Sequence, residues 1–226
     1  MNYYITGDLH GELRLLFYNM PLTSNDTLII LGDFGCIWYN DLGKQKAIIS
    51  MFQFLPYTVA FIDGNHENFP MIERLEKYEK WNGGTVGKIA PNLIHLLRGE
   101  VYNLNGKLVG VCGGADSVDR SYRTEGVSWW KEEEITSKDI DRFFSNYDPN
   151  TKLDFILTHD CPASLVPAVK LYSGINSINK ISNSQKQLER INSKVDFNKW
   201  YFGHWHIDKE INEKFECLYK GFKKII

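Results

Sequence analysis

Five times along the chain, a short apolar run stops abruptly at a turn carrying Asp, Asn or His. Tyr3-Tyr4-Ile5-Thr6 runs into Gly7-Asp8-Leu9-His10, and Thr27-Leu28-Ile29-Ile30-Leu31 into Gly32-Asp33. Thr58-Val59-Ala60-Phe61-Ile62 runs into Asp63-Gly64-Asn65-His66-Glu67. Leu153-Asp154-Phe155-Ile156-Leu157-Thr158 ends at His159-Asp160, and Lys199-Trp200-Tyr201-Phe202 at Gly203-His204-Trp205-His206. Near-continuous apolar runs of this length predict strands buried on both faces. Polar groups just past strand C-termini are where α/β sheets build their sites. The glycines before several of them let the backbone turn sharply.

Helical spacing fills the gaps between the runs. Leu13, Leu16, Phe17 and Met20 share one helical face, as do Ile48, Met51, Phe52 and Leu55. Residues 131–143 read as a helix that packs Ile135, Ile140 and Phe143, with Glu132, Glu133 and Glu134 as its exposed start, where acids suit the helix dipole. Residues 182–193 read as another helix, capped by Ser182 or Asn183. Residues 93–97 and 100–112 read as a hairpin-like strand pair around Asn105-Gly106, and 209–225 supplies final strands. Residues 113–130 are irregular, and long loops of this kind are often functional. No linker or repeat interrupts the pattern, so the chain reads as one α/β domain, residues 1–226.

Composition narrows the function classes. A net charge of −2 and a pI near 6.3 argue against a general nucleic-acid binder, but leave enzymes of small nucleotides open. The four cysteines, Cys36, Cys112, Cys161 and Cys217, form no C-x-x-C pair and read as free thiols of a reducing cytosol. No apolar run approaches the ~20 residues of a membrane helix. A candidate motif already begins at Asp8, which leaves no room for a signal peptide. The expectation is a soluble cytoplasmic protein with no membrane partner. Nothing in the sequence sets its oligomeric state.

Five of the six histidines fall in the five strand-end turns: His10, His66, His159, His204 and His206. The sixth, His95, sits within a strand-like run and reads as structural. Asp8-x-His10 on extended backbone would point both side chains the same way to grip one cation, and His204-x-His206 repeats that spacing. With Asp33, Asn65 and His159 at other strand ends, the set reads as a metal site. Nitrogen and oxygen ligands without thiolate favour Mn, Fe, Zn or Ni over a structural zinc site.

The ordered series Asp8-x-His10, Gly32-Asp33, Gly64-Asn65-His66-Glu67, His159, Gly203-His204-x-His206 resembles the calcineurin-like metallophosphoesterases, over nearly the whole chain. The resemblance implies a four-layer αββα sandwich of two mixed β-sheets flanked by helices. It implies two divalent ions, Mn²⁺ foremost: Asp8, His10 and His206 on the first, Asn65, His159 and His204 on the second, and Asp33 bridging both. It places His66 towards the substrate as a non-ligand.

Two divalent ions set against Asp8, Asp33 and a bridging hydroxide leave the site about one unit positive, which suits a phosphoryl anion. The expected reaction is hydrolysis of a phosphodiester or phosphomonoester by direct attack of the bridging hydroxide, with His66 as general acid. The sequence does not fix which residue orients His66; Asp63 and Asp160 are the candidates. The protein Ser/Thr phosphatases of this superfamily read Gly-Asp-x-x-Asp-Arg-Gly at the second motif. Here Cys36 stands at the second acid and Ile37 at the arginine. That points away from phosphoproteins and towards a small phosphoester or nucleotide-like substrate.

Arg120 and Arg123 in the irregular loop are candidate phosphate clamps. Trp38, Tyr39, Tyr122, Trp129 and Trp130 either stack on a base or pack the loop, with packing the preferred reading. The rival from another class is a binding scaffold that keeps the fold without catalysis. All seven ligand positions and His66 are present, which favours the enzyme.

Overall fold

The structure is a computed structural model that describes residues 1–18, 21–174 and 180–226. Its strands are β1 (Asn2–Thr6), β2 (Asp26–Leu31), β3 (Thr58–Ile62), β4 (Lys77–Trp81), β5 (Gly84–Ala90), β6 (Leu93–Leu96), β7 (Val101–Leu104), β8 (Lys107–Cys112), β9 (Leu153–Thr158), β10 (Phe197–Phe202), β11 (Lys209–Glu210), β12 (Phe215–Cys217) and β13 (Phe222–Lys224). The helices are α1 (Leu13–Tyr18), α2 (Leu42–Met51), α3 (Phe69–Leu75), α4 (Ser137–Asn146), α5 (Val166–Ser173) and α6 (Asn183–Asn192).

The strands form two mixed sheets, ordered β13-β1-β2-β3-β6-β5-β4 and β11-β12-β10-β9-β8-β7. In each, the central strands are parallel and the edges antiparallel. Alternation along β2 shows how one strand serves two layers. Leu28 and Ile30 pack outward with Leu16 of α1, Ile49 of α2 and Met71 of α3. Ile29 and Leu31 pack inward with Val109, Val111 and Leu157 of the facing sheet. The outer face of the second sheet meets α4, α5 and α6 through Phe143, Val169 and Leu188. The result is the expected αββα sandwich, and all five apolar runs are strands of it.

Local expectations fared unevenly. Ser182 caps α6 through a capping box with Gln185, and Ile135, Ile140 and Phe143 are buried as expected. The helix after residue 131 begins only at Ser137, where Thr136 and Asp139 form another capping box. Glu133 is buried rather than an exposed helix start, because its carboxylate is claimed by Ser117. The buried face of α2 runs through Gln45 and Ile49 to Phe52, which leaves Met51 40% exposed. α1 buries Leu16 and partly buries Leu13 and Phe17, and Met20 lies outside the described residues.

The Asn105-Gly106 turn joins β7 to β8, with both residues left-handed, as a two-residue hairpin requires. Residues 93–96 are not part of that hairpin. They lie in the other sheet between β3 and β5, because the chain crosses between sheets at Leu97–Gly99. Among the described residues, no helix is long and apolar enough to cross a membrane.

Candidate metal centre

The site lies where the parallel strands of both sheets end, and backbone hydrogen bonds tie its loops together. Leu9 N and His10 N both donate to the Asp33 carbonyl, at 3.1 and 2.7 Å, and Gly11 N donates to Phe34 O at 3.0 Å. Within the second sheet, Gly203 N donates to His159 O at 2.9 Å. The backbone at the key residues is left-handed: φ is +50° at His10, +46° at Asp33, +67° at His204 and +52° at His206. These are four of the six non-glycine residues with positive φ among those described. The x-separated pairs therefore do not converge along extended strand, as their spacing suggested. They converge in strained turns held by inter-loop hydrogen bonds, a pattern that concentrates at functional sites.

In each carboxylate one oxygen accepts from backbone amides. Asp8 Oδ1 accepts from His204 N at 2.9 Å. Asp8 Oδ2 is buried without a hydrogen bond of good geometry, with His206 Nε2 at 3.1 Å and His10 Nε2 at 3.7 Å. Asp33 Oδ1 accepts from Asn65 N at 2.9 Å and His66 N at 2.8 Å, and lies 3.2 Å from His159 Nε2. Asp33 Oδ2 is 3.8 Å from His10 Nε2 and 4.0 Å from His66 Nε2. Among the described residues, ligand atoms gather within 4.8 Å of one another in Asp8/His10/His206, in Asp33/His159/His204 and in His10/Asp33/His66. Asn65 Oδ1 joins the second set, 3.3 Å from His159 Nε2. All seven ligand candidates are thus brought together, with Asp33 between two clusters.

The donor set fits divalent cations. His159 Nδ1 donates to the Leu31 carbonyl at 2.7 Å, which turns its Nε2 towards Asp33 as a ligand nitrogen. His10 Nε2 and His206 Nε2 converge to 3.0 Å. The orphaned Asp8 Oδ2 is the acceptor a cation would use. A Cβ at Gly32 would overlap the His159 ring, and one at Gly64 the Asp33 carboxylate, so these turns tolerate only glycine.

The electrostatics point the same way. Burial would raise the Asp33 carboxyl, but His159 and the other histidines outweigh it and hold Asp33 well below the usual carboxylate range. Burial opposes a proton on His159, yet Asp33 and Asp8 push it up to about 10. The pocket favours positive charge at this point.

His66 sits at the rim, its side chain 35% exposed. Its Nε2 is 2.7 Å from Arg123 Nη2, and a guanidinium there occupies the lone pair that a metal would need. That contact distinguishes His66 from the seven ligand candidates, although its ring also lies within reach of His10 and Asp33. Burial first, and Arg123 after it, lower the His66 ring to about 4, with Asp33 working against them. Asp63 and Asp160 do not orient His66. Asp63 is committed to His95 and Arg98, and Asp160 to Trp205 Nε1 and Cys161 N. The orienting contacts are Arg123 and the Trp38 ring, stacked on His66 at 6.4 Å.

Arg123 also donates to the Asn65 carbonyl at 3.3 Å and is anchored by Asp119 at 2.8 Å. Arg120 takes no part. Its side chain is 56% exposed, pairs with Glu134 and lies over the Trp129 ring. Trp129 and Trp130 are buried loop packing, and Tyr122 is 92% exposed. Trp38 and Tyr39, with Leu13 and Ile48, line a cavity of about 430 Å³ that opens from His10 and His66. Cys36 also lines it, and Ile37 is buried. All four cysteines are free and buried.

Sequence reasoning placed Glu67 in a motif without a role and missed Ser117. Glu67, fully buried, accepts from Phe34 N at 2.7 Å and Gly35 N at 3.3 Å, and so pins the turn after Asp33. An acid directly after a motif histidine was the available signal. Ser117, which accepts from Asn65 Nδ2 at 3.2 Å, carried no signal of its own.

No match is found among individually curated proteins. The family model for calcineurin-like phosphoesterases matches residues 1–208, and the chain belongs to that family of metal-dependent phosphoesterases.

Proposed function

We propose that the protein is a dinuclear metal-dependent hydrolase of small phosphoesters. Asp8, His10 and His206 would hold one ion, and Asn65, His159 and His204 the other, with one Asp33 oxygen turned towards each cluster. When bound, two such ions neutralise phosphate charge and activate water. Mn²⁺ is the first choice, with Fe, Zn and Ni compatible with the same ligands.

The chain's own groups do the rest. Arg123 is placed to grip a phosphoryl oxygen at the rim. A phosphoryl oxygen that takes the Arg123 donors frees His66 Nε2 to hold a proton for the leaving oxygen, the role of a general acid. The cavity beside His66 has room for the organic group of the ester, and its Trp38 and Tyr39 suit an aromatic or nucleotide-like one. Cys36, which lines the cavity, and the buried Ile37 stand where protein phosphatases carry an acid and an arginine, so a phosphoprotein substrate is not proposed. Four buried free thiols suit a cytoplasmic protein.

The observation that carries this reading is Asp33 standing between two histidine clusters contributed by two sheets. The test is metal analysis after loading with Mn²⁺, followed by a panel of aryl, nucleotide and peptide mono- and diesters. Two equivalents and turnover of aryl or nucleotide esters are expected. A persistent single equivalent overturns the dinuclear site. Two equivalents without hydrolysis of any ester would make the protein a binding scaffold.

A further inference from the structure

A carboxamide offers a cation only its oxygen, so a ligand asparagine must be held the right way round. At Asn65 the direction is set by a chain of groups that ends on a buried acid. Glu133 is 1% exposed. Its Oε1 accepts from Ser117 N at 2.6 Å and its Oε2 from Ser117 Oγ at 2.7 Å. A carboxylate only accepts, so the Ser117 hydroxyl spends its single proton on Glu133. The lone pairs of Ser117 Oγ are then the part left to face Asn65, and they accept from Asn65 Nδ2 at 3.2 Å. With the NH₂ taken up, Asn65 Oδ1 is the atom turned to His159 and the cluster around Asp33.

The Glu133 turn is itself fixed. Arg98 Nη1 donates to Glu134 O at 3.0 Å, and its Nη2 to Glu132 O at 2.9 Å and Glu133 O at 3.2 Å. Ala115 N also donates to Glu133 O, at 3.1 Å.

We propose that Ser117 and Glu133 are positioning residues that hold the Asn65 carboxamide oxygen towards His159 and Asp33, and so set the affinity of the cation site on that side. The second half rests on the dinuclear reading above; the first does not. Outer groups that orient a ligand typically change metal affinity by about 10–100-fold when removed.

Two measurements test it, on wild type, Ser117→Ala, Ser117→Thr and Glu133→Gln. In the metal-free protein, ¹⁵N spectra read the Asn65 side-chain NH₂. One strongly shifted, slowly exchanging proton is expected in wild type and Ser117→Thr, and its loss in Ser117→Ala and Glu133→Gln. Mn²⁺ titration should then show one of two equivalents weakened by about 10–100-fold in Ser117→Ala and Glu133→Gln, with the other unchanged and Ser117→Thr close to wild type. An Asn65 signal indifferent to Ser117→Ala overturns the positioning. Equal weakening of both equivalents, with a lowered Tm of the metal-free variant, also overturns it, since that is a general structural effect. Should wild type take up a single equivalent, the dinuclear reading fails, and the metal-free spectra decide the positioning alone.

Discussion

Arg123 Nη2 lies 2.7 Å from His66 Nε2, and Asp119 holds the same guanidinium at its Nε, 2.8 Å away. An irregular surface loop is thereby fastened to the rim of the metal centre. Arg123→Ala should keep both metal equivalents and lose kcat/KM on small phosphoesters by about a hundredfold to a thousandfold, as for removal of one donor to a developing anion. Arg123→Lys should recover only part of this, because a point charge cannot replace the planar fork. Steady-state kinetics alongside metal analysis checks both. Unchanged kinetics in Arg123→Ala would remove it from the site.

His66 lines the cavity, and its Nε2 contacts Arg123. His66→Ala should retain two Mn²⁺ and lose activity in proportion to the leaving group's need for a proton. The loss should be about 10²–10⁴-fold for alkyl or nucleoside diesters and much smaller for a nitrophenyl ester. A series of esters graded by leaving-group pKa reads this directly. An equal loss across the series would speak for a role other than proton donation.

The five strand ends were legible because a buried parallel strand and a polar turn look so different along the chain. The αββα layering came only with the family resemblance. What spacing could not show was the left-handed backbone at His10, Asp33, His204 and His206, which depends on hydrogen bonds between distant loops. Arg120 and Arg123 were indistinguishable in sequence, and only the partners Glu134 and Asp119 send one away from the site and one into it. Glu132-Glu133-Glu134 looked like a solvated charge run, but Ser117 draws Glu133 inside. The hairpin of β4 and β5 had a signal, Asn82-Gly83, in which both residues adopt positive φ.

Glu67 bonds the backbone that carries Asp33, with Phe34 N at 2.7 Å and Gly35 N at 3.3 Å. Glu67→Ala strands the buried Phe34 amide and the partly buried Gly35 amide, and should cost about 1–3 kcal/mol in urea unfolding. Burial, with Asp33 nearby, pushes the Glu67 carboxyl well up, so a neutral group is tolerated there. Glu67→Gln retains an acceptor oxygen and should cost much less. If the alanine variant is as stable as wild type, the turn does not depend on this carboxylate.

The fold also carries a charge cluster outside the candidate metal centre. His95 Nδ1 lies 3.0 Å from Glu76 and its Nε2 3.2 Å from Asp63, and Arg98 Nε donates to Asp63 at 2.7 Å. Burial opposes a proton on His95, but Asp63 and Glu76 outweigh it and raise the ring to about 9. A folded-state pKa above the unfolded value of about 6.5 means that the native protein holds the proton more tightly. The resulting stability is fully present below pH ~6.5, falls as pH rises and is gone above about 9. For a shift of this size it is on the order of 3 kcal/mol. Burial would raise Asp63, yet Arg98 and His95 hold it well below the usual carboxylate range. Its contribution is therefore present above its unfolded pKa of about 3.9 and is lost as acid protonates it. His95→Gln should flatten the alkaline limb of the stability profile and leave the acid limb, because Arg98 still pairs with Asp63. Urea unfolding of wild type and His95→Gln from pH 5 to pH 10 measures the difference. Parallel profiles across that range would show that His95 is neutral in the native protein.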